Sequence, residues 1–174
     1  MGIARNIARL IPNGSGLLPN ANIEAMAASK LTGTVPDANA SSGSVIQVVR
    51  VNIEARYNLV SSSFAGIGPT LSITPKDTSS RIFLIWTGSL ESGAYTYFTF
   101  FRNGTNVSGK TYGITTKSGS TQSWDNMGLS FLDSPNTASA ITYQLAFSTV
   151  SGTISLNDYG SDNLNQLIAM EIAG

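Results

Sequence analysis

The chain has 174 residues, and only 11% of them are charged, against roughly a quarter in typical soluble proteins. Ten basic residues balance ten acidic ones, so no net charge attracts phosphate backbones or an anionic membrane, and we expect neither nucleic acid nor membrane as a partner. The chain has no Cys and no His, which excludes Ser-His-Asp and Cys-His hydrolysis, the usual zinc sites and disulfides. We therefore expect a non-enzymatic protein without cofactor or metal.

A change of composition near residue 44 divides the chain into an N-terminal segment, residues 1–43, and a β-rich domain, residues 44–174. The segment is rich in Pro, Asn, Ala and Gly and has no aromatic residue, whereas aromatic and β-branched residues recur at short spacing in the domain. No signal peptide is visible and no run reaches transmembrane length. We expect an extended, partly helical segment followed by one folded domain.

The first predicted element is a short amphipathic helix that ends at Pro12. Its apolar residues follow the spacing of one helical stripe, with two arginines beside it. A helix of about nine residues is marginal in isolation, so it must dock either on another protein or on its own β-domain. The candidate anchor residues are Ile3, Arg5, Ile7, Arg9, Leu10 and Ile11.

A short repeat follows, because residues 15–22 are echoed by residues 32–39, with a second short helix predicted between the two copies. Two copies are too few for a solenoid. They suit either a thin stalk wound from several chains or a plain Pro-rich linker.

The sequence of the β-domain predicts strands separated by turn residues, at the spacing that is typical of a β-sandwich. Val45, Val49, Val51 and Ile53 are predicted on one face of the first strand, and the strand at 141–148 is predicted to have one solvent-facing side. Asn103-Gly104 predicts a type I′ hairpin. About eight or nine strands are predicted, and eight strands in two sheets is the number of a jelly roll. They are predicted over residues 44–56, 70–74, 81–87, 95–102, 124–132, 141–148, 153–156 and 166–172.

Two of these strands, 81–87 and 95–102, are apolar on both faces. Alternate residues of a strand point to opposite sides, so one face fills the core and the other needs a second apolar surface. We expect that surface on another copy of the chain. The candidate residues of this subunit interface are Phe83, Ile85, Trp86, Tyr95, Tyr97, Phe98, Phe100 and Phe101.

Tyr112 and Trp124 are candidate ligand residues, because aromatic faces among Asn and Ser groups suit neutral sugar rings. Trp86 is open to the same interpretation or to a place in the core. Asp158 and Asp162 offer oxygen ligands to calcium, or form an ordinary polar turn. A pair of carboxylates can hydrolyse a glycosidic bond without His. Their spacing in the sequence forces no two of the candidate carboxylates together. These candidates are Glu54, Glu91, Asp125, Asp133 and Glu171.

Four stretches, residues 73–82, 101–105, 131–137 and 168–173, in this order resemble the terminal domains of fibre-like virion proteins of tailed bacteriophages, especially cyanophages and other marine phages. The resemblance covers roughly residues 44–174. Residues 30–36 are similar to phage fibre shafts.

The resemblance implies a homotrimer of single jelly rolls, similar in outline to the tumour-necrosis-factor and C1q heads. It further implies a virion protein, assembled in the host cytoplasm and anchored to capsid or tail proteins by its N-terminal segment. Since the chain leaves no length for a long shaft, we expect a short fibre or knob that contributes to host attachment, with host surface polysaccharide as a candidate partner. The alternatives are a capsid decoration or cement protein that stabilises the head shell, and a cellular C1q-like or lectin-like binding module.

Overall fold

The computed structural model describes residues 40–119, 123–157 and 163–174, which contain eleven β-strands and no helix. The protein is therefore all-β in these ranges, as the sequence predicts. The predicted anchor helix, the repeat and the predicted calcium ligands Asp158 and Asp162 lie outside the described residues.

The strands form two antiparallel sheets that pack face to face. Sheet A contains β1 (Val45–Ile53), β2 (Tyr57–Leu59), β4 (Arg81–Ser92), β8 (Ser123–Asp133), β10 (Ile154–Leu156) and β11 (Asn165–Ile172). Sheet B contains β3 (Ala65–Ile73), β5 (Thr96–Arg102), β6 (Thr105–Asn106), β7 (Thr115–Lys117) and β9 (Ile141–Thr149).

Each sheet is four strand positions wide. In sheet A, β8 pairs with the whole length of β4 along one side of that strand. On the other side of β4, β11 pairs with its first part and β10 with its last part. β1 then pairs with β11, and β2 pairs with β10. In sheet B the order is β3, β9 and β5, with β6 and β7 sharing the last edge. The chain passes between the sheets in a jelly-roll-like order, and the fold is a β-sandwich.

Aromatic rings from both sheets meet in the core. The Trp86 ring lies edge-on to Phe147 with ring centres 5.9 Å apart, and Phe98 contacts the same phenyl ring at 4.9 Å. Trp86, Phe98 and Phe100 are completely buried within one chain. Their predicted place at a subunit interface is wrong, because they lie on the inward faces of β4 and β5, which the opposite sheet covers. For Trp86 the structure supports the core interpretation.

The first strand is interrupted by a bulge that the sequence pattern does not predict. The register of β1 against β11 shifts between Val45 and Gln47, so an extra residue enters and the alternation of faces is reset. Val49, Val51 and Ile53 point towards the core as predicted, but Val45 is 54% exposed on the outer side.

The hairpin at Asn103-Gly104 is confirmed. Both residues have positive φ angles, 48° and 81°, and β5 pairs directly with β6 across them. The Asn103 carboxamide oxygen also accepts the Thr142 N–H at 2.9 Å, which fixes the turn to the start of β9.

Strand β9 has a solvent-facing side only in its first half. Thr142 is exposed, but Ala146 and Ser148 on the same side are buried. The segment around Asn106 covers this part of sheet B, since Asn106 Oδ1 accepts the Thr99 hydroxyl hydrogen at 2.6 Å and Thr99 pairs with Ala146. The predicted solvent-facing side is therefore wrong for the second half of β9.

Candidate interaction surfaces on the outer faces

The outer side of sheet A carries a continuous apolar patch at the end where β1 begins and β11 ends. One cross-strand row contains Leu132, Phe83, Met170 and Val48. The rows on either side add further aliphatic residues and one exposed arginine each, Arg50 opposite Ile168 and Arg81 opposite Ile172. We call this patch the apolar outer face; it consists of Val45, Val48, Phe83, Ile85, Leu132, Ile168, Met170 and Ile172.

This patch is open to solvent in the single chain. Val48 is 55% and Leu132 46% exposed. Monomeric soluble proteins rarely expose large contiguous apolar patches, which mark sites of association. Phe83 and Ile85, predicted at a subunit interface, lie in its centre. The contributions of β1, β8 and β11 were not predicted, although the alternation of Ile168, Met170 and Ile172 with inward residues indicates the outward face of β11.

The other end of the same outer side is polar. The outward residues along β4 change from Ile85 to Thr87, Ser89 and Glu91, and Glu91 lies opposite Trp124 on β8. Arg56 adds a cation to this end, since its Nη2 atom lies 3.9 Å from a Glu91 carboxylate oxygen and donates to the Ser155 hydroxyl at 3.2 Å. Sheet A therefore has an apolar half and a polar half on one side.

Sheet B presents a smaller aromatic patch on its own outer side. Tyr97 on β5 packs against Tyr112 with ring centres 4.9 Å apart, and Tyr95 just before the strand is 50% exposed. Phe101, two positions beyond Thr99 on the same side, is partly buried. Of the predicted interface residues, these and the pair on β4 are the ones that face outward.

The structure does not bring Tyr112 and Trp124 together. Tyr112 packs on the outer side of sheet B, whereas Trp124 lies on the outer side of sheet A and is 46% exposed. The two aromatic side chains therefore belong to separate surfaces. They do not form one ligand loop.

A cluster of three hydrogen-bonded polar side chains joins the two sheets. Both Asp133 carboxylate oxygens accept from Arg102 Nη1, at 3.0 and 2.9 Å, and one of them also accepts the Tyr143 hydroxyl hydrogen at 2.6 Å. Burial and the neighbouring Asp133 carboxylate raise the pKa of the Tyr143 hydroxyl above its ordinary value. Asp133 and Tyr143 are buried and the Arg102 side chain is 35% exposed, so the cluster closes the edge of the sandwich and joins its two sheets.

The other carboxylates considered for catalysis are likewise spread over the fold. Glu171 is fully buried and accepts from Gln47 and from the Lys76 backbone N–H. Asp125 pairs with Lys117 at 2.8 Å, and the hydrogen bond from the Lys117 ammonium lowers the pKa of the Asp125 carboxyl. Glu54 lies exposed after β1. Each buried carboxylate thus has protein partners of its own.

Neither a metal-ligand cluster nor a membrane-spanning helix is present among the described residues. No three or more acidic side chains lie close enough together in these ranges to hold a metal ion. The same ranges contain no helix that is long and apolar enough to cross a membrane.

The comparisons with known proteins indicate no family for the chain. No protein-family model matches it, and no curated protein shows a significant match to its sequence. The outer surfaces of the sandwich and the sequence resemblance to phage fibre domains are therefore the features that bear on its function.

Proposed function

We propose that this chain is a non-enzymatic structural subunit of a bacteriophage virion: a homotrimeric short fibre or knob, displayed on the particle and anchored by its N-terminal segment. The observation that supports this most strongly is the apolar outer face of sheet A, which a single chain leaves open. The likeness of residues 44–174 to phage fibre domains supports the virion assignment and the single jelly-roll, tumour-necrosis-factor-like outline of each head.

Placement of the outward aromatic residues favours a ring over a twofold dimer. Phe83 and Ile85 face outward on sheet A, whereas Tyr97 and Phe101 face outward on sheet B. A twofold dimer places the same patch of both copies in contact, while a cyclic ring joins two different patches. Two patches on opposite sides of the sandwich suit the ring, and the number three comes from the resemblance.

Attachment at one end is supported by the positions at which the described chain enters and leaves the sandwich. Gly43 donates its N–H to the Ala173 carbonyl at 2.9 Å, and Ala173 donates to the Ser44 carbonyl at 2.8 Å. The described chain therefore enters the sandwich at Gly43 beside Ala173, at the end that carries the apolar outer face. The loops that follow β2 and β4 lie at the opposite end, which suits contact with a host surface.

Assembly is tested by placing a charge on the apolar outer face. Val48→Glu should convert the trimer to monomers, because burying a carboxylate between apolar subunit surfaces is strongly unfavourable. Asn52→Glu is the matched control, since Asn52 is exposed on the same side of the same strand but outside the patch. Light scattering of the purified full-length chain gives the mass of each. A wild-type monomer, or a Val48→Glu trimer, would contradict the proposed interface.

The virion assignment is tested on purified particles of the parent phage. We expect the chain to be present by mass spectrometry and its antibody to label the particle surface in electron micrographs. Deletion of residues 1–43 should abolish incorporation and leave the trimer intact. If loss of the protein lowers head stability and leaves adsorption unchanged, the decoration alternative is correct; absence from purified particles would refute a virion role.

A further inference from the structure

Strand β8 forms one whole edge of sheet A. Its eleven residues pair with β4 in an unbroken register, from Ser123 opposite Ser92 to Asp133 opposite Ile82. Among the described residues, no other strand and no backbone hydrogen bond reaches residues 126–132 from the other side. Alternate N–H and C=O groups of an edge strand point away from its sheet, so this stretch offers a row of hydrogen-bonding groups to an incoming strand.

The other edge strands in the described part of the chain are each protected against such pairing. β1 has a bulge, β3 has a register shift and contains Pro69, and β2, β6 and β7 are only two or three residues long. Bulges, proline and short length all prevent further strands from adding to an edge. β8 is long, regular and free of proline, so it differs from all of them.

Charge does not protect this edge either. The two aspartates of β8 lie near its ends, and each has a cation as partner: Asp125 pairs with Lys117 at 2.8 Å, and Asp133 pairs with Arg102 at 2.9 Å. Residues 126–132 between them carry no charge. A regular stretch of this length without charge or proline pairs readily with another extended segment.

The inward side of β8 indicates what kind of strand fits beside it. Met127 and Phe131 point towards the core but are only partly buried, whereas Leu129 between them is buried. The core is therefore incompletely covered along this edge. Apolar side chains at alternate positions of an added strand would complete the cover, because alternate residues of a strand share a face.

We propose that β8 is a docking edge for an extended segment of another protein, which adds to sheet A as a further strand. The partner segment has apolar residues at alternate positions, facing the core. Uncharged polar residues lie between them, on the outer side where Asn126, Gly128 and Ser130 are exposed. Backbone hydrogen bonds supply the affinity of such a complex, and the alternate side chains supply its selectivity.

This docking edge is separate from the contacts proposed for the ring. Subunits of the ring meet through the outer faces of their sheets, whereas strand addition uses backbone groups at the margin of sheet A. Within residues 126–132, only Leu132 belongs to the apolar outer face. The identity of the partner as a neighbouring virion protein rests on the proposed function; the strand-pairing chemistry does not.

Met127→Lys should close the docking edge, because an added strand would bury the new ammonium group, while the open seam leaves that group in water in the unbound protein. Asn126→Lys is the matched control, since it places the same charge one residue away on the exposed outer side. Circular dichroism and light scattering show whether both variants fold and assemble like the wild type.

The probe is the synthetic peptide Lys-Thr-Val-Thr-Val-Thr-Val-Thr-Lys, added to the full-length protein. The control peptide has proline in place of the central valine, which removes an N–H that the new strand pairing needs. Hydrogen-exchange mass spectrometry should show slower exchange in residues 126–132 with the valine peptide and no change with the proline peptide. Met127→Lys should weaken binding by at least about tenfold, and Asn126→Lys should retain it.

Absence of protection in β8 of the wild type, protection confined to other strands, or equal binding by a folded Met127→Lys protein would overturn the proposal. Growth of the wild-type mass beyond the trimer without peptide, abolished by Met127→Lys, would also overturn it, because a second copy would then occupy the edge. Light scattering of the same samples reports the ring separately. A monomeric wild type that binds the valine peptide through β8 would refute the ring and support the docking edge.

Discussion

At the scale of single residues, the buried polar groups decide how the two sheets are joined. Asp133 on β8 of sheet A accepts from Arg102 on β5 and from Tyr143 on β9, both of sheet B. Hydrogen bonds to charged groups are worth more than neutral ones, and losing a partner leaves a buried carboxylate less well satisfied. The cluster therefore contributes to the stability of the sandwich and fixes the relative position of its sheets.

Tyr143→Phe tests this cluster with the smallest possible change. Loss of the hydroxyl should lower the free energy of unfolding by about 1–3 kcal/mol, because the Asp133 carboxylate keeps Arg102 but loses a charge-assisted hydrogen bond. Urea denaturation followed by circular dichroism measures the difference. Tyr95→Phe is the control, since Tyr95 is half-exposed, and its effect should stay within about 0.5 kcal/mol. Equal stability of the wild type and Tyr143→Phe would contradict this role.

At the scale of elements, turns were easier to predict from sequence than strand faces. Asn-Gly reports a local backbone conformation, and both residues adopt it in the structure. The bulge in β1 depends on pairing with β11, more than a hundred residues away in the chain, so no local pattern reveals it. The second half of β9 is covered by a distant segment around Asn106, and alternation alone cannot show that cover.

Strand ends were predicted less well than strand centres. β4 continues five residues beyond Thr87 because its polar outward residues still pair with β8, and β3 begins before Pro69 because it is an edge strand. A surface pocket lined in part by Ser89, Asn126 and Asn165 was not predicted for a related reason. It depends on the gap that β10 and β11 leave beside β4, which only the folded sheet displays.

The junction of β4 and β11 gives a test at this scale. Gly88→Ala should lower the free energy of unfolding by about 1–3 kcal/mol, because the new methyl group overlaps the Asn165 carboxamide and must displace it. Gly128→Ala, on the neighbouring strand, meets no atom closer than 3.8 Å and should be nearly neutral. Thermal unfolding of both variants provides the comparison. A Gly88→Ala protein as stable as Gly128→Ala would show that the carboxamide is not held there.

At the scale of the whole molecule, the excess of apolar residues on two strands was predicted correctly, but their division between the core and the outer faces was predicted wrongly. The sequence shows that strands 81–87 and 95–102 are apolar on both faces. Which face is covered depends on where the opposite sheet lies, and this places Trp86, Phe98 and Phe100 in the core and leaves Phe83, Ile85, Tyr95 and Tyr97 outside. In a single chain, the apolar outer face remains exposed to solvent.

The mass of the purified full-length protein in solution is the decisive measurement of the proposed assembly. Sedimentation equilibrium at micromolar concentration should give three times the 18.3 kDa mass of one chain, and Val48→Glu should reduce this to one. A stable, well-behaved wild-type monomer over the same concentration range would contradict the claim that like subunits cover the apolar outer face.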